Sequence, residues 1–128
     1  MSTTDYLIDT NILIYHTKGA PKTAAFIDSL TAQDAFRISI LTKIEFLGWD
    51  KHTPNGFEKC KRLLETATVF PVDEDVAKKA IELRRSSSIK LADAIIAATA
   101  LINGLRLATR NVNDFKKIKG LDVVDPFE

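Results

Sequence analysis

Short β-rich runs that alternate with helical segments predict an α/β fold, with a mainly parallel central sheet and helices on both faces. Three observations lead there. The runs at residues 6–8, 36–40, 68–72 and 105–108 are each followed by helix or turn signals. The segment from Leu91 to Gly104 is apolar almost all round after Asp93, as a helix buried on most of its surface would be. No Pro/Gly-rich linker, repeat or low-complexity tract divides the chain. With 128 residues it is long enough for one compact domain and too short for two, so residues 1–128 are expected to form a single domain.

Taken in order, Tyr6-Leu7-Ile8 reads as a buried strand, and the turn and cap residues Asp9, Thr10 and Asn11 lead into a short helix over Ile12 to Tyr15. Ala24 to Leu30 suits an amphipathic helix and Phe36 to Ile40 a second strand, after which Thr42 can cap a helix carrying Ile44, Phe46 and Leu47. Thr53-Pro54 is a helix start, and Phe57, Cys60 and Leu64 then share one face, which makes Cys60 a core filler. Thr68 to Val72 makes a third strand. Asp73 caps the helix whose stripe is Val76, Ala80 and Leu83. Ser86-Ser87-Ser88 reads as a joint between helices, with Ser88 as the next cap and Gly104 as the stop. Leu105 to Ala108 and Asp122 to Val124 are short strands flanking a polar turn, Thr109 to Asp114, and a small basic helix near Phe115 to Ile118.

Composition narrows the function. Eighteen Lys and Arg against 17 Asp and Glu leave a net charge of +1, so any polyanion must be met by a local patch and not by bulk charge. One cysteine cannot form an internal disulfide, and no secretory leader pattern opens the chain, so the expected address is the cytoplasm. The longest stretch without a charge, Ala94 to Leu105, is about half of what crosses a bilayer, so no membrane partner is expected.

Four acids stand out: Asp9, Glu45, Asp93 and Asp114. Each has a structural explanation. Asp9 can cap the helix it precedes, Glu45 completes a capping box with Thr42, and Asp114 lies three residues after a possible cap, Asn111. Asp93 fits that explanation least, because a helix capped at Ser88 places it beyond the first turn above the small apolar Ala97 and Ala100. In a parallel α/β sheet, helices that follow strands start at the strands' carboxyl edge, where ligand clefts open, so Asp9, Glu45 and Asp114 are carried to one rim. Asp93 joins them if the central helix begins beneath it. Two carboxylates about 4 Å apart repel by roughly 4 kcal/mol at an effective dielectric near 20, so several cannot stay ionised together unless a cation sits between them. His16, after the first helix, and His52, near a turn beside Trp49, are not placed to contribute. Oxygen-only ligands imply Mg²⁺ or Mn²⁺, the apparatus of phosphodiester hydrolysis without a Ser, Cys or His nucleophile.

Four segments carry a family resemblance: Tyr6-Leu7-Ile8-Asp9-Thr10-Asn11, Thr42-Lys43-Ile44-Glu45-Phe46, Lys90-Leu91-Ala92-Asp93-Ala94-Ile95-Ile96-Ala97-Ala98-Thr99-Ala100, and Ala108-Thr109-Arg110-Asn111-Val112-Asn113-Asp114-Phe115. In that order they resemble the motifs of PIN-domain ribonucleases, especially VapC-like toxins, over essentially the whole chain. The resemblance implies a three-layer α/β/α sandwich, metal ligation by Asp9, Glu45 and Asp93, and supporting roles for Thr10, Asn11 and Thr109. Many members carry Asp where this chain has Asn111, so either Asp114, three residues later, is the fourth ligand or a second metal is held weakly, and Asn111 can supply a carbonyl oxygen or orient water. The resemblance further implies an endoribonuclease acting on tRNA or rRNA, a homodimer, and a cognate antitoxin whose segment enters the cleft.

Basic residues offer routes for an RNA backbone: Lys59, Lys61 and Arg62, Lys78 and Lys79, Arg84 and Arg85, and Lys116, Lys117 and Lys119. Most are expected to be solvated helix faces. Arg110, inside the fourth motif, is the stronger substrate contact, with a salt bridge to a site carboxylate as its structural alternative. Two other functions compete: a degenerate PIN-like module that binds RNA or protein without cutting, suggested by Asn111, and a phosphatase forming an aspartyl-phosphate on Asp9. The phosphatase is disfavoured because Asn11 stands where a second Asp is wanted.

Overall fold

The computed structural model describes residues 5–127. Its elements are β1 (Tyr6–Ile8), α1 (Thr10–Thr17), α2 (Pro21–Ala32), β2 (Arg37–Ser39), α3 (Ile40–Leu47), α4 (Pro54–Leu64), β3 (Thr68–Phe70), α5 (Glu74–Ser86), α6 (Leu91–Ile102), β4 (Arg106–Ala108), α7 (Val112–Phe115) and β5 (Val123–Val124). Every ladder is parallel: β1 pairs with β4, β4 with β5, and β2 with β3. The ladders form two hydrogen-bonded sheets, β1-β4-β5 and β2-β3, and β1 lies beside β2 without a ladder between them among the described residues, which gives the lateral order β3-β2-β1-β4-β5.

Period-two alternation along three-residue strands splits the core between the sheet's two faces. Tyr6 and Ile8 turn to one side, with Ile12 and Leu13 of α1, Ile27 and Leu30 of α2, Phe46 of α3, and Cys60 and Leu64 of α4. Leu7 and Leu107 turn to the other, with Val76, Ala80 and Leu83 of α5 and the alanine-rich side of α6. Helices therefore cover both faces, as the α/β/α expectation requires. Ala94, Ala97, Ala98 and Ala100 are fully buried, and their small side chains let α6 pack closely against α5.

Several boundaries differ from the sequence expectations. α3 is capped by Ser39, whose buried hydroxyl accepts from the Leu41 N–H at 3.0 Å, and not by Thr42. Thr42 sits inside the helix with its hydroxyl 3.1 Å from that of Thr10, so tertiary contact displaces the capping box and frees Glu45 for another role. α6 starts after Lys90, not Ser88. Ile89 is buried and Arg84 Nη1 donates to its carbonyl at 3.0 Å, which keeps the chain extended two residues longer. Asp93 is consequently in the first turn of α6, where the helix dipole favours it, and not beyond that turn. β3 ends at Phe70 because Pro71 has no N–H for the ladder. The last short helix is Val112–Phe115, upstream of the expected position, and His16 lies in the last turn of α1 where the sequence places it beyond the helix. Gly104, with φ +65°, ends α6 in the left-handed region as its expected stop. Among the described residues no helix is long and apolar enough to cross a membrane.

Candidate active site

The register of β1 on β4 pairs Ile8 with Ala108, so the next residues on each strand, Asp9 and Thr109, meet just past the sheet's carboxyl edge. Asp9 is 6% exposed and caps α1 by its backbone conformation. Its Oδ1 accepts from the Thr10 N–H at 2.8 Å and its Oδ2 from the Thr109 hydroxyl at 2.7 Å. The Thr109 oxygen in turn accepts from Asn11 Nδ2 at 3.2 Å and from the Asn111 N–H at 3.0 Å. With two donors already aimed at that oxygen, its one hydrogen is committed to Asp9. Asn11 Oδ1 accepts from the Arg110 N–H at 3.3 Å, which ties the first and fourth motifs together a second time.

Glu45 reaches the same corner from α3. The Thr10 hydroxyl donates to its Oε1 at 2.7 Å, and because a carboxylate cannot donate back, the neighbouring Thr42 hydroxyl must supply the other hydrogen. Asp93 comes from the first turn of α6. Asp9, Glu45 and Asp93 line one cleft of about 640 Å³, together with Thr10, Asn11 and Asn111.

Electrostatics follow from this crowding. Burial, opposed by the hydrogen bonds from Thr109 and Thr10 and reinforced by the charges of Asp93 and Glu45, pushes the Asp9 carboxyl up to about 6 from its ordinary 3.8. Asp93 is also raised, first by burial and then by the Asp114 charge, with Lys90 acting in the opposite sense and Glu45 adding a smaller push. In both carboxyls the ionised form is therefore disfavoured relative to an ordinary carboxylate.

A family model for the PIN domain matches residues 6–121. This chain belongs to the PIN-domain family. It is 32% identical to the ribonuclease VapC10 of Mycobacterium tuberculosis over 120 residues, covering 90% of this chain and 89% of that protein. It is likewise 32% identical to the ribonuclease VapC1 of Rickettsia felis over 128 residues, covering 92% and 93%. Among solved structures, a toxin-antitoxin complex from Klebsiella pneumoniae superposes with a TM-score of 0.77 at 34% identity, over 96% of this chain and 98% of that one. The DNA-bound VapBC of Salmonella typhimurium shares the fold, with a TM-score of 0.82 at 19% identity over 94% and 96%.

In this PIN domain the four acids do not stand equally. Asp9, Glu45 and Asp93 share the cleft, whereas Asp114 lines an adjoining depression with Arg110, Asn111 and Asp125 and acts on the cleft through its charge on Asp93. Asn111 is the fourth-motif residue that lines the cleft itself. Among the described residues no three His, Cys, Asp or Glu side chains are gathered at metal-ligand spacing. Neither histidine lines the cleft; both line a cavity next to it. Arg110 does not pair with a site carboxylate. Its Nε lies 3.5 Å from Asp125 Oδ2, and its guanidinium stacks 4.8 Å from the Tyr15 ring centre and 5.3 Å from that of Phe127.

Trp49 and Asp50 of the α3–α4 turn also line the cleft, and the sequence pattern does not single them out as site residues. Gly48 permits the turn that carries Trp49: a Cβ there would lie 2.7 Å from the Ile44 carbonyl oxygen. Most of the basic groups are solvated or engaged elsewhere. Lys79 pairs with Glu82 at 3.5 Å, Arg84 holds the Ile89 carbonyl, and Lys117 Nζ lies 3.4 Å from the Ser88 carbonyl.

Proposed function

We propose that this chain is a metal-dependent endoribonuclease that hydrolyses RNA phosphodiester bonds with Mg²⁺ or Mn²⁺, and that it is the toxin of a toxin-antitoxin pair acting on tRNA or rRNA in the cytoplasm. The observation that carries the reading is the arrival of Asp9, Glu45 and Asp93 from three separate elements in one cleft, with Asp9 so desolvated that it holds its proton up to about pH 6. The donor set suits a hard divalent ion, since carboxylate oxygens supply the charge and no imidazole or thiol among the described residues lines the cleft. Glu45 is exposed and Asp93 only partly buried, so these two have room to turn toward the fixed Asp9 and hold the ion with it.

Bound there, such an ion lowers the pKa of a water and screens the phosphate oxygens. The chain's own contribution is orientation. Thr10 and Thr109 hold the two oxygens of Asp9, the Thr10 hydroxyl holds Glu45, and Asn11 and Asn111 fix the Thr109 oxygen. Asp114 is the alternative fourth acid, and Asn111 can offer its side-chain carbonyl in that place. Arg110 is kept as a backbone contact at the outer edge of the site, where its guanidinium remains about one-third exposed.

The likeness to the Klebsiella pneumoniae toxin-antitoxin complex supports a cognate antitoxin as a partner. A homodimer is part of the same proposal; Ile44, Ile81 and Leu91 are large apolar side chains left exposed in the single chain. The competing reading is a binding module that does not cut, favoured by Asn111 where a further acid would stand. The test is cleavage of tRNA and rRNA with and without EDTA, by the native chain and by Asp9→Asn and Asp93→Asn. Loss of cutting on chelation and in both variants is expected. Metal-independent cutting, or full activity in both variants, overturns the proposal; RNA binding without cutting and without a metal heat signal in calorimetry establishes the module.

A further inference from the structure

Trp49 is a partition. One side of it belongs to the carboxylate cleft; the other belongs to a second cavity of about 400 Å³ between the end of α1 and the start of α4. The two cavities have opposite charge. The cleft carries Asp9, Glu45, Asp50 and Asp93, whereas Lys18, Lys51 and Lys59 line the second cavity, and no acidic residue does so among those described. Cys60 and Leu63 give the second cavity an apolar floor.

Its aromatic wall is already ordered. His52 Nε2 lies 2.7 Å from the Phe46 carbonyl oxygen, and because a carbonyl only accepts, that nitrogen carries the hydrogen. The ring is held edge-on by Phe46, Trp49 and Phe57, with centroids 5.4, 5.2 and 6.3 Å away. Its other nitrogen faces Cys60 Sγ at 4.0 Å, where burial keeps the thiol protonated, so the pair braces Trp49 and offers no thiolate. An indole packed edge-on against His52 beside exposed lysines, with Lys18 Nζ 5.6 Å from the Tyr15 ring centre, is the combination that stacks a base and neutralises its phosphate.

We propose that this second cavity is a nucleotide subsite for the RNA strand that crosses the carboxylate cleft: the base next to the scissile bond stacks on Trp49, and Lys18, Lys51 and Lys59 meet the adjoining backbone phosphate. The proposal rests on RNA being the substrate. A polyanion passing through an acidic cleft needs compensating positive charge where it leaves, and these lysines line the cavity that shares Trp49 with the cleft. An amphipathic protein segment could use the same apolar floor, but three cationic groups and continuity with the cleft favour a nucleotide.

Trp49 is the only tryptophan in the chain and lines both cavities, so its fluorescence reports on the boundary between them, and a lysine variant assigns a quench to the second cavity. Metal-free protein in EDTA is titrated with a short single-stranded RNA oligonucleotide and, separately, with an acidic amphipathic peptide. RNA should quench Trp49. Lys51→Gln/Lys59→Gln, which changes only exposed side chains, should bind RNA about tenfold more weakly, with a log–log salt slope shallower by about 1.4. RNA that binds without changing Trp49 emission, a double variant that binds equally well, or quenching by the peptide but not by RNA overturns the subsite. Cleavage is measured separately with Mg²⁺. A chain that cuts RNA while the double variant keeps its KM retains the enzyme reading and loses the subsite, whereas quenching that the double variant weakens, without cutting, keeps the subsite and loses the enzyme.

Discussion

Asp9 and Asp114 bring the same carboxyl group to neighbouring positions and meet opposite surroundings. Asp9 is buried, both its oxygens are hydrogen-bonded, and its charge is opposed by desolvation and by two acidic neighbours. Asp114 is exposed in the four-residue α7 and touches the cleft only through the field it exerts on Asp93. The difference teaches that the rim has a rigid, charge-strained end at the β1–α1 corner and a solvent-screened end at α7. Substitutions at the first should change chemistry and stability together; those at the second should be muted by water and salt.

The largest test of that contrast pairs Asp93→Asn with Asp114→Asn. Asn at 93 keeps the shape of the α6 first turn but removes a carboxylate from the cleft, so kcat/KM for RNA cleavage should fall on the order of a hundred- to a thousandfold, the scale of a few kcal/mol of lost charge stabilisation. Asn at 114 should change it by less than about fivefold. Equal losses in the two variants would mean that the exposed end carries as much of the chemistry as the buried one.

The pH dependence of stability tests the rigid end by itself. In the folded chain Asp9 holds its proton up to about pH 6, against an ordinary carboxyl at 3.8, so the native state binds more protons than the unfolded one between those values. Its contribution is full below about pH 4 and disappears as pH rises through 6. A carboxyl moved that far from its ordinary value is worth about 3 kcal/mol. Metal-free protein should therefore lose thermal stability from about pH 4.5 to 7.5 through this group, and saturating Mg²⁺ should reverse the trend because the ion binds the ionised carboxylate. Thermal melts at both pH values, with and without Mg²⁺, measure it; parallel trends with and without metal would refute the assignment. Thr109→Val, which removes the hydroxyl that donates to Asp9, should weaken Mg²⁺ binding about 10- to 100-fold in calorimetry, and Thr109→Ser should restore most of it.

The same contrast explains what is legible in the sequence. The β1–α1 corner can be read because an apolar run, an acid and two small polar residues occur side by side, and the parallel topology itself carries Asp9 to the carboxyl edge. Asp93 stands out as a site acid for a partly mistaken reason: it lies in the first turn of α6, which only the buried Ile89 and its bond from Arg84 determine. Thr42 resembles a cap because local chemistry cannot show that Thr10, 32 residues away, approaches its hydroxyl. A site carboxylate looks like the natural partner of Arg110 because Asp125 and Phe127 reach it only when β5 completes the sheet. Trp49 escapes notice because its importance comes from separating two cavities, a relation between α1, α3 and α4 that no local pattern encodes.

The smallest expected effect decides which end of the rim the fourth position belongs to. Asn111 lines the cleft and its N–H is bonded to Thr109, so Asn111→Asp places a new carboxylate on the rigid end's own hydrogen-bond network. Asn111 is exposed, so the added charge is largely solvated, and an effect of roughly 0.3–1 kcal/mol follows. Mg²⁺ affinity should rise about two- to fivefold, while metal-free melting falls slightly through repulsion with Asp9 and Asp93. If Asp114 were a true fourth ligand, Asp114→Asn would lower Mg²⁺ affinity by more than Asn111→Asp raises it, and the double change would not restore the native value. If the cleft is completed at position 111, the double variant should bind Mg²⁺ at least as tightly as the native chain, because the lost carboxylate acts on Asp93 from outside the cleft and the gained one stands at a residue that lines it. Calorimetric titration of the two single variants and the double variant separates these outcomes.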